Sequence, residues 1–150
     1  MANTFTNLIT HVVFSTKYRE PLIHNYFKKR LYEYFGGIIH NKQGRLLSAG
    51  GTSDHVHLLV KLLPVESVSQ AVGELKGYSS KWINDQKLID GHFSWQAGFG
   101  AFSVSESQIP IIRKYILTQK EHHKDCSFKE EFTGMLENLN LSYDSGEIQV

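Results

Sequence analysis

The chain predicts an α+β sandwich, ferredoxin-like or RRM-like, in which an antiparallel sheet carries helices on one face. Three observations predict it. Apolar spacing alternates between strand and helix periods in the order strand, helix, strand, strand, helix, strand; turn formers cluster between the second and third strands; and a further helical segment follows the last strand. At 150 residues and 17.1 kDa, a single domain spanning 1–150 is expected, able to bury its own core.

Residues 4–15 carry Phe5, Leu8, Ile9, Val12, Val13 and Phe14 and read as the first strand, leaving into the basic turn Lys17-Tyr18-Arg19-Glu20-Pro21. Residues 22–36 place Leu22, Ile23, Tyr26, Phe27, Leu31, Tyr34 and Phe35 at helical spacing, with Gly36-Gly37 as the stop and Lys28, Lys29 and Arg30 as a solvated flank. Residues 44–49 and 56–63 read as two strands of a hairpin turning through Gly50-Gly51-Thr52-Ser53-Asp54. Pro64-Val65-Glu66-Ser67 opens a second helix whose Val68, Val72, Leu75 and Trp82 face the sheet, with Lys76, Tyr78, Ser79, Ser80 and Lys81 on or near its exposed side. The aromatic, glycine-rich stretch 91–105 holds a last strand around Phe99, Ala101, Phe102 and Val104. Ser105-Glu106-Ser107 suits the capping of a helix that carries Tyr115, with Pro110 tolerated near its first turn. An amphipathic helix over 128–139 closes the fold before a polar tail, 142–150, that is expected to fray.

Composition narrows the function classes. A formal charge of +1 argues against a protein that coats DNA by bulk electrostatics, so any nucleic-acid contact must be a local patch. The single cysteine, Cys126, excludes an internal disulfide and suits a reducing compartment. The start lacks a basic segment followed by a long apolar one, and no run of about 18 apolar residues occurs, so a cytoplasmic location with no membrane partner is expected.

The chemistry centres on His55-Val56-His57. Strand alternation puts both imidazoles on one face and Val56 on the other. With the first and third strands central, the pair sits mid-sheet, opposite the two helices. Tyr115 and Gln119, four residues apart on a helix, turn a phenol and an amide oxygen to one side, and a helix laid over the sheet would bring them to the histidines. Such a set suits a divalent cation beside a nucleophilic hydroxyl. With eight histidines in the chain, the triplet alone is a weak signal.

The wider pattern is more specific: residues 11–19 (HVVFSTKYR), 54–60 (DHVHLLV), 79–83 (SSKWI), 95–105 (WQAGFGAFSVS) and 115–123 (YILTQKEHH). In this order the set resembles the small single-tyrosine HUH transposases, the insertion-sequence 200/605-like group that moves elements as single-stranded DNA together with the tyrosine transposases associated with repetitive extragenic palindromes. The resemblance covers nearly the whole chain. It implies that His55 and His57 bind a divalent metal, Mg2+ or Mn2+, with Gln119 as the third ligand, and that Tyr115 is the catalytic nucleophile on a C-terminal helix. It implies hairpin-containing single-stranded DNA as partner, cleavage through a 5′-phosphotyrosine, and a homodimer in which the tyrosine helix of one subunit completes the site of the other. In that arrangement the segment 98–107 positions the helix, and Gly98 and Gly100 either permit the required backbone or mark close packing.

Lys17, Arg19, Lys76, Lys81, Arg113 and Lys114 are the candidates for DNA phosphate contacts, though each alone reads as a solvated charge. Tyr18, Tyr78, Trp82 and Trp95 are candidates for stacking on unpaired bases, with a core role favoured for the two tryptophans. His122 and His123 either flank the site or offset a helix dipole. His11 reads as a packed or hydrogen-bonded strand histidine outside the metal set.

Other readings stay open. The chain could be a domesticated relative, or a non-catalytic single-strand binder on the same fold, which would keep its function when Tyr115 becomes Phe. A metal-dependent hydrolase would turn over with water and form no adduct, but Leu59 stands two residues after His57, where a binuclear site would want aspartate, and no second HxH occurs.

Overall fold

The computed structural model describes residues 3–123, 126–139 and 141, so the tail expected to fray lies outside the described residues. Four antiparallel strands, β1 (Leu8–Ser15), β2 (Arg45–Gly51), β3 (His55–Leu62) and β4 (Gly100–Ser103), form one sheet in the order β2-β3-β1-β4. This is the ferredoxin-like order, with β1 and β3 central. Helices α1 (Asn25–Asn41) and α2 (Val68–Asp85) cover one face. Over the other lie α3 (Ile109–Leu117), the short α4 (Gln119–His122) and α5 (Phe128–Asn138).

Period-two alternation in β3 builds both layers. Val56, Leu58, Val60 and Leu62 enter the large core under α1 and α2. His55, His57 and Leu59 face the opposite way, where Leu59 packs with Ile9 and with Ile116 of α3.

Several expected boundaries shift for physical reasons. β1 begins at Leu8, opposite Leu62 at the end of β3, so residues 4–7 have no strand to pair with and Phe5 is left 92% exposed. α1 does not stop at Gly36-Gly37. Its buried face, Phe27, Leu31, Phe35 and Ile39, continues at four-residue intervals past the glycines, and burial of that stripe outweighs their poor helix propensity.

β2 likewise runs through Gly50-Gly51, shortening the turn to residues 52–54. Gly50 serves a close approach: a Cβ there would collide with the Ile116 carbonyl of α3. The register partner of Gly50 is His57, so the same glycine lets the tyrosine helix settle beside the histidines.

Ser79, expected near the exposed side of α2, is fully buried and accepts a 2.9 Å hydrogen bond from Trp95 Nε1. Trp95 is a core residue, packed edge-on against Phe14 and Phe93. Trp82 stacks on Tyr34, and Arg30, expected to be solvated, lies with its guanidinium 5.3 Å from that indole. Among the described residues no helix is long and apolar enough to cross a membrane.

Candidate metal centre and nucleophile

Both histidines of β3 are fully buried. His55 Nδ1 lies 2.7 Å from Asp54 Oδ1, and Thr52 Oγ1 donates to the same oxygen at 3.0 Å. Burial pushes the Asp54 carboxyl up, but the bonds to His55 and Thr52 hold it below the ordinary range. An ionised Asp54 accepts the hydrogen bond of His55 Nδ1–H and leaves the Nε2 lone pair aimed inward.

His57 is oriented from β1. Its Nδ1 lies 2.9 Å from His11 Nε2. His11 is opposite Leu59 in the register, two residues from His57 on the same face, so the imidazoles are diagonal neighbours. The expectation of a hydrogen-bonded His11 agrees with this geometry.

Tyr115 and Gln119 reach the same place by an interrupted route. α3 ends at Leu117, and Thr118 (φ −107°, ψ 23°) breaks the helix before α4 begins at Gln119. Gln119 Nε2 donates back to the Tyr115 carbonyl at 3.2 Å, so the pair still shares a face. Gln119 Oε1 then lies 3.1 Å from His55 Nε2. The Tyr115 ring stands edge-on to His57, centroids 5.6 Å apart, and to His11 at 6.1 Å.

Two further groups complete the cluster. Glu131 of α5, whose side chain is only 6% exposed, places Oε1 3.0 Å from His57 Nε2, 3.8 Å from His55 Nε2 and 3.3 Å from His123 Nε2. His123 Nδ1 donates to the Cys126 carbonyl at 2.8 Å, and its Nε2 lies 3.1 Å from Gln119 Oε1. The His122 side chain is outside the described residues. Phe128 stacks on His55 at 4.2 Å and closes that side.

The donor chemistry fits a cation. With the Nδ1–H groups of His55 and His123 donating to Asp54 and to the Cys126 carbonyl, their Nε2 lone pairs converge on the oxygens of Gln119 and Glu131. Acceptors at such distances repel unless a proton or a metal ion sits among them. His55, His57 and Glu131 each offer a ligand atom within 4.8 Å of the others, and Gln119 and His123 adjoin them.

Electrostatics fix the resting protonation. Burial pushes His57 down to about 4 against the pull of the Glu131 carboxylate, and burial together with His57 pushes His11 down to about 3. Glu131 is pushed up by burial, but hydrogen bonds from His57 and Tyr115 outweigh this and hold its carboxyl at about 2. Burial and the bond to Glu131 push the Tyr115 hydroxyl well above its ordinary value, so it rests protonated.

A stability prediction follows from the two histidines. Their folded pKa values lie below the ordinary ~6.5, so the unfolded chain takes up protons first. The stability they contribute is full above about pH 6.5 and is lost as pH falls through about 4 and then 3. Thermal melts at pH 7.5 and pH 5 should show a lower Tm at pH 5, and an unchanged Tm would contradict the assignment.

The basic candidates divide into two groups. Arg113 and Lys114 are exposed on α3 beside Tyr115. Lys17, Lys76 and Lys81 line a separate groove next to α2, with Arg19 on the adjoining turn.

A family model described as "Transposase IS200 like" matches residues 4–119, which include the histidine pair, Tyr115 and Gln119. The chain belongs to the IS200-like transposase family. This transposase is 30% identical over 130 residues to the transposase for insertion sequence element IS200 of Salmonella typhimurium, covering 83% of this chain and 84% of the relative. It is 26% identical over 121 residues to the ISDra2 transposase TnpA of Deinococcus radiodurans, covering 77% and 84% respectively. Its fold superposes on a crystal structure of a Deinococcus radiodurans protein, with a TM-score of 0.64, 23% identity, and coverage of 77% of this chain and 93% of that one. It also superposes on a REP-associated tyrosine transposase bound to a REP hairpin, with a TM-score of 0.62, 11% identity, and coverage of 82% and 73%. At these identities the two structures speak for the fold.

Sequence reasoning gave Asp54 no more than a place in a turn, and of this transposase's site it missed Glu131. Its signal was present: it falls three residues after Phe128 and one before Phe132, on the apolar stripe of α5, where a carboxylate needs a partner.

Proposed function

We propose that the chain is a DNA transposase that cleaves and rejoins single-stranded DNA at hairpin-containing element ends through a 5′-phosphotyrosine on Tyr115. The observation that carries the reading is the Tyr115 ring beside His57 within a buried set of converging acceptors. His55, His57 and Gln119, joined by Glu131, would hold Mg2+ or Mn2+. When bound, that ion supplies charge neutralisation at a phosphodiester oxygen.

The chain's own residues do the rest. Asp54 and His11 fix the two imidazoles, and Glu131 accepts the Tyr115 hydroxyl hydrogen bond and holds the phenol at the site. Attack of Tyr115 Oη on phosphorus forms one P–O bond and breaks the bond to the upstream 3′ oxygen, which leaves carrying the phenolic proton in balance. The new phosphodiester conserves the bond energy, so a different 3′-hydroxyl can reverse the step without ATP. Arg113 and Lys114 flank the phenol for contact with the strand's phosphates, and Lys17, Arg19, Lys76 and Lys81 extend that contact. The REP hairpin bound by a protein of the same fold supports a hairpin partner.

The test is incubation with Mn2+ and labelled single-stranded DNA carrying the element's hairpin ends. A denaturation-resistant protein–DNA adduct is expected, whereas cleavage without an adduct would favour a hydrolase.

The reading includes a homodimer with shared sites. In that arrangement the segment 98–107 would position α3 of one copy over the histidines of the other. Mixing a His57→Ala chain with a Tyr115→Phe chain should then restore adduct formation that neither shows alone. No restoration would mean that each chain uses its own tyrosine.

A further inference from the structure

On the α2 side of the sheet, a groove of about 900 Å3 opens between the turn Lys17–Arg19, α2 and residues 92–97. That is within the size range of small-ligand sites, about 300–1,000 Å3. Its rim is strained. Tyr18 and Arg19 are consecutive non-glycine residues in the left-handed region, with φ 58° and 53°, a conformation that L side chains hold at a cost and that clusters at functional sites. The result is an aromatic ring 77% exposed at the groove, which no packing need of the fold explains.

The turn that presents the ring is also held. The Tyr18 backbone N–H donates to Oε1 of the buried Gln96 at 3.2 Å. Lys76, half-buried beneath, donates from Nζ to the Gln96 and Gly98 carbonyls at 2.6 and 2.7 Å. Lys17 Nζ lies 5.4 Å from the Tyr18 ring centroid. Lys81 is paired with Asp85 at 2.6 Å, which leaves one carboxylate on the far wall. An exposed aromatic ring with one ammonium group near it, in a groove also lined by Lys76 and Lys81, matches a base with its phosphates better than it matches an apolar or cationic ligand.

Position supports the same ligand. Ser15 lies opposite His55 in the register, and the Thr16 N–H donates to the Asp54 carbonyl at 2.8 Å. The turn that presents Tyr18 therefore starts at the end of the sheet where the histidine site begins, so one strand can pass around that end from groove to site.

We propose that this groove holds an unpaired nucleotide of the DNA strand, its base stacked on Tyr18 and its phosphates beside Lys17 and Lys76. The inference rests on the single-strand DNA reading above and adds a second point of contact away from the metal centre.

The test compares binding of a 20-nucleotide oligo-dT with binding of an abasic 20-mer of the same backbone, by fluorescence anisotropy. The unaltered chain should prefer the strand with bases. Tyr18→Ala should lose about five- to 150-fold of that preference, the span of one stacked base, and Tyr18→Phe should retain it. The comparison in the unaltered chain needs no variant, so poor folding of Tyr18→Ala cannot hide the answer. A chain that binds both strands equally, or a Tyr18→Ala chain with undiminished preference, overturns the inference. Adduct formation by the unaltered chain, measured alongside, separates the two readings: an adduct with no Tyr18 effect removes only this groove, whereas no binding of any DNA removes both.

Discussion

Tyr115→Phe is expected to abolish the covalent DNA adduct, by at least ~10^4-fold, while leaving the fold and metal binding in place. The ring makes its edge-on contacts with His11 and His57 through carbon atoms that phenylalanine retains. What is lost is the hydroxyl and its bond to Glu131. Thermal stability should therefore change by only ~1 kcal/mol, and Mn2+ affinity, read by calorimetry, should be nearly unaltered. A collapse of the melt would make Tyr115 a structural residue, and an adduct that survives would place the nucleophile elsewhere.

His57→Ala should have the second large effect, on two separate readouts. It removes one of the converging ligand atoms and the hydrogen-bond partner of both His11 and Glu131. The buried Glu131 carboxylate and the His11 ring nitrogen lose that partner, at a cost of ~2–4 kcal/mol in the metal-free chain. Metal affinity should fall by about a hundredfold or more. Denaturant unfolding without metal and calorimetric titration with Mn2+ check the two effects independently. Unchanged metal binding would show that the cluster is a buried polar network and nothing more.

The part of the site carried by short-range spacing was legible in the chain. Alternation in β3 sets His55 and His57 on one face, and four-residue spacing joins Tyr115 to Gln119 even though Thr118 interrupts the helix. What depends on long-range packing was not. His11 was expected to be hydrogen-bonded, but that its partner is His57 follows from the β1–β3 register, and Glu131 arrives from α5, 74 residues from His57. The glycines misled: Gly50-Gly51 and Gly36-Gly37 look like turns, because a sequence does not show whether a missing side chain serves backbone freedom, the approach of a neighbour, or neither. At Gly50 it is the approach of α3, and in α1 the apolar stripe overrides the break.

The most direct test of the tyrosine chemistry is mass spectrometry of the chain after reaction with single-stranded hairpin DNA and Mn2+, followed by nuclease and trypsin. Cleavage after Lys114 and Lys120 releases residues 115–120 as one peptide. That peptide is expected to carry a 5′-phosphonucleotide from the downstream side of the cut. An unmodified peptide beside cleaved DNA, or a nucleotide on any other residue, would contradict Tyr115 as the nucleophile.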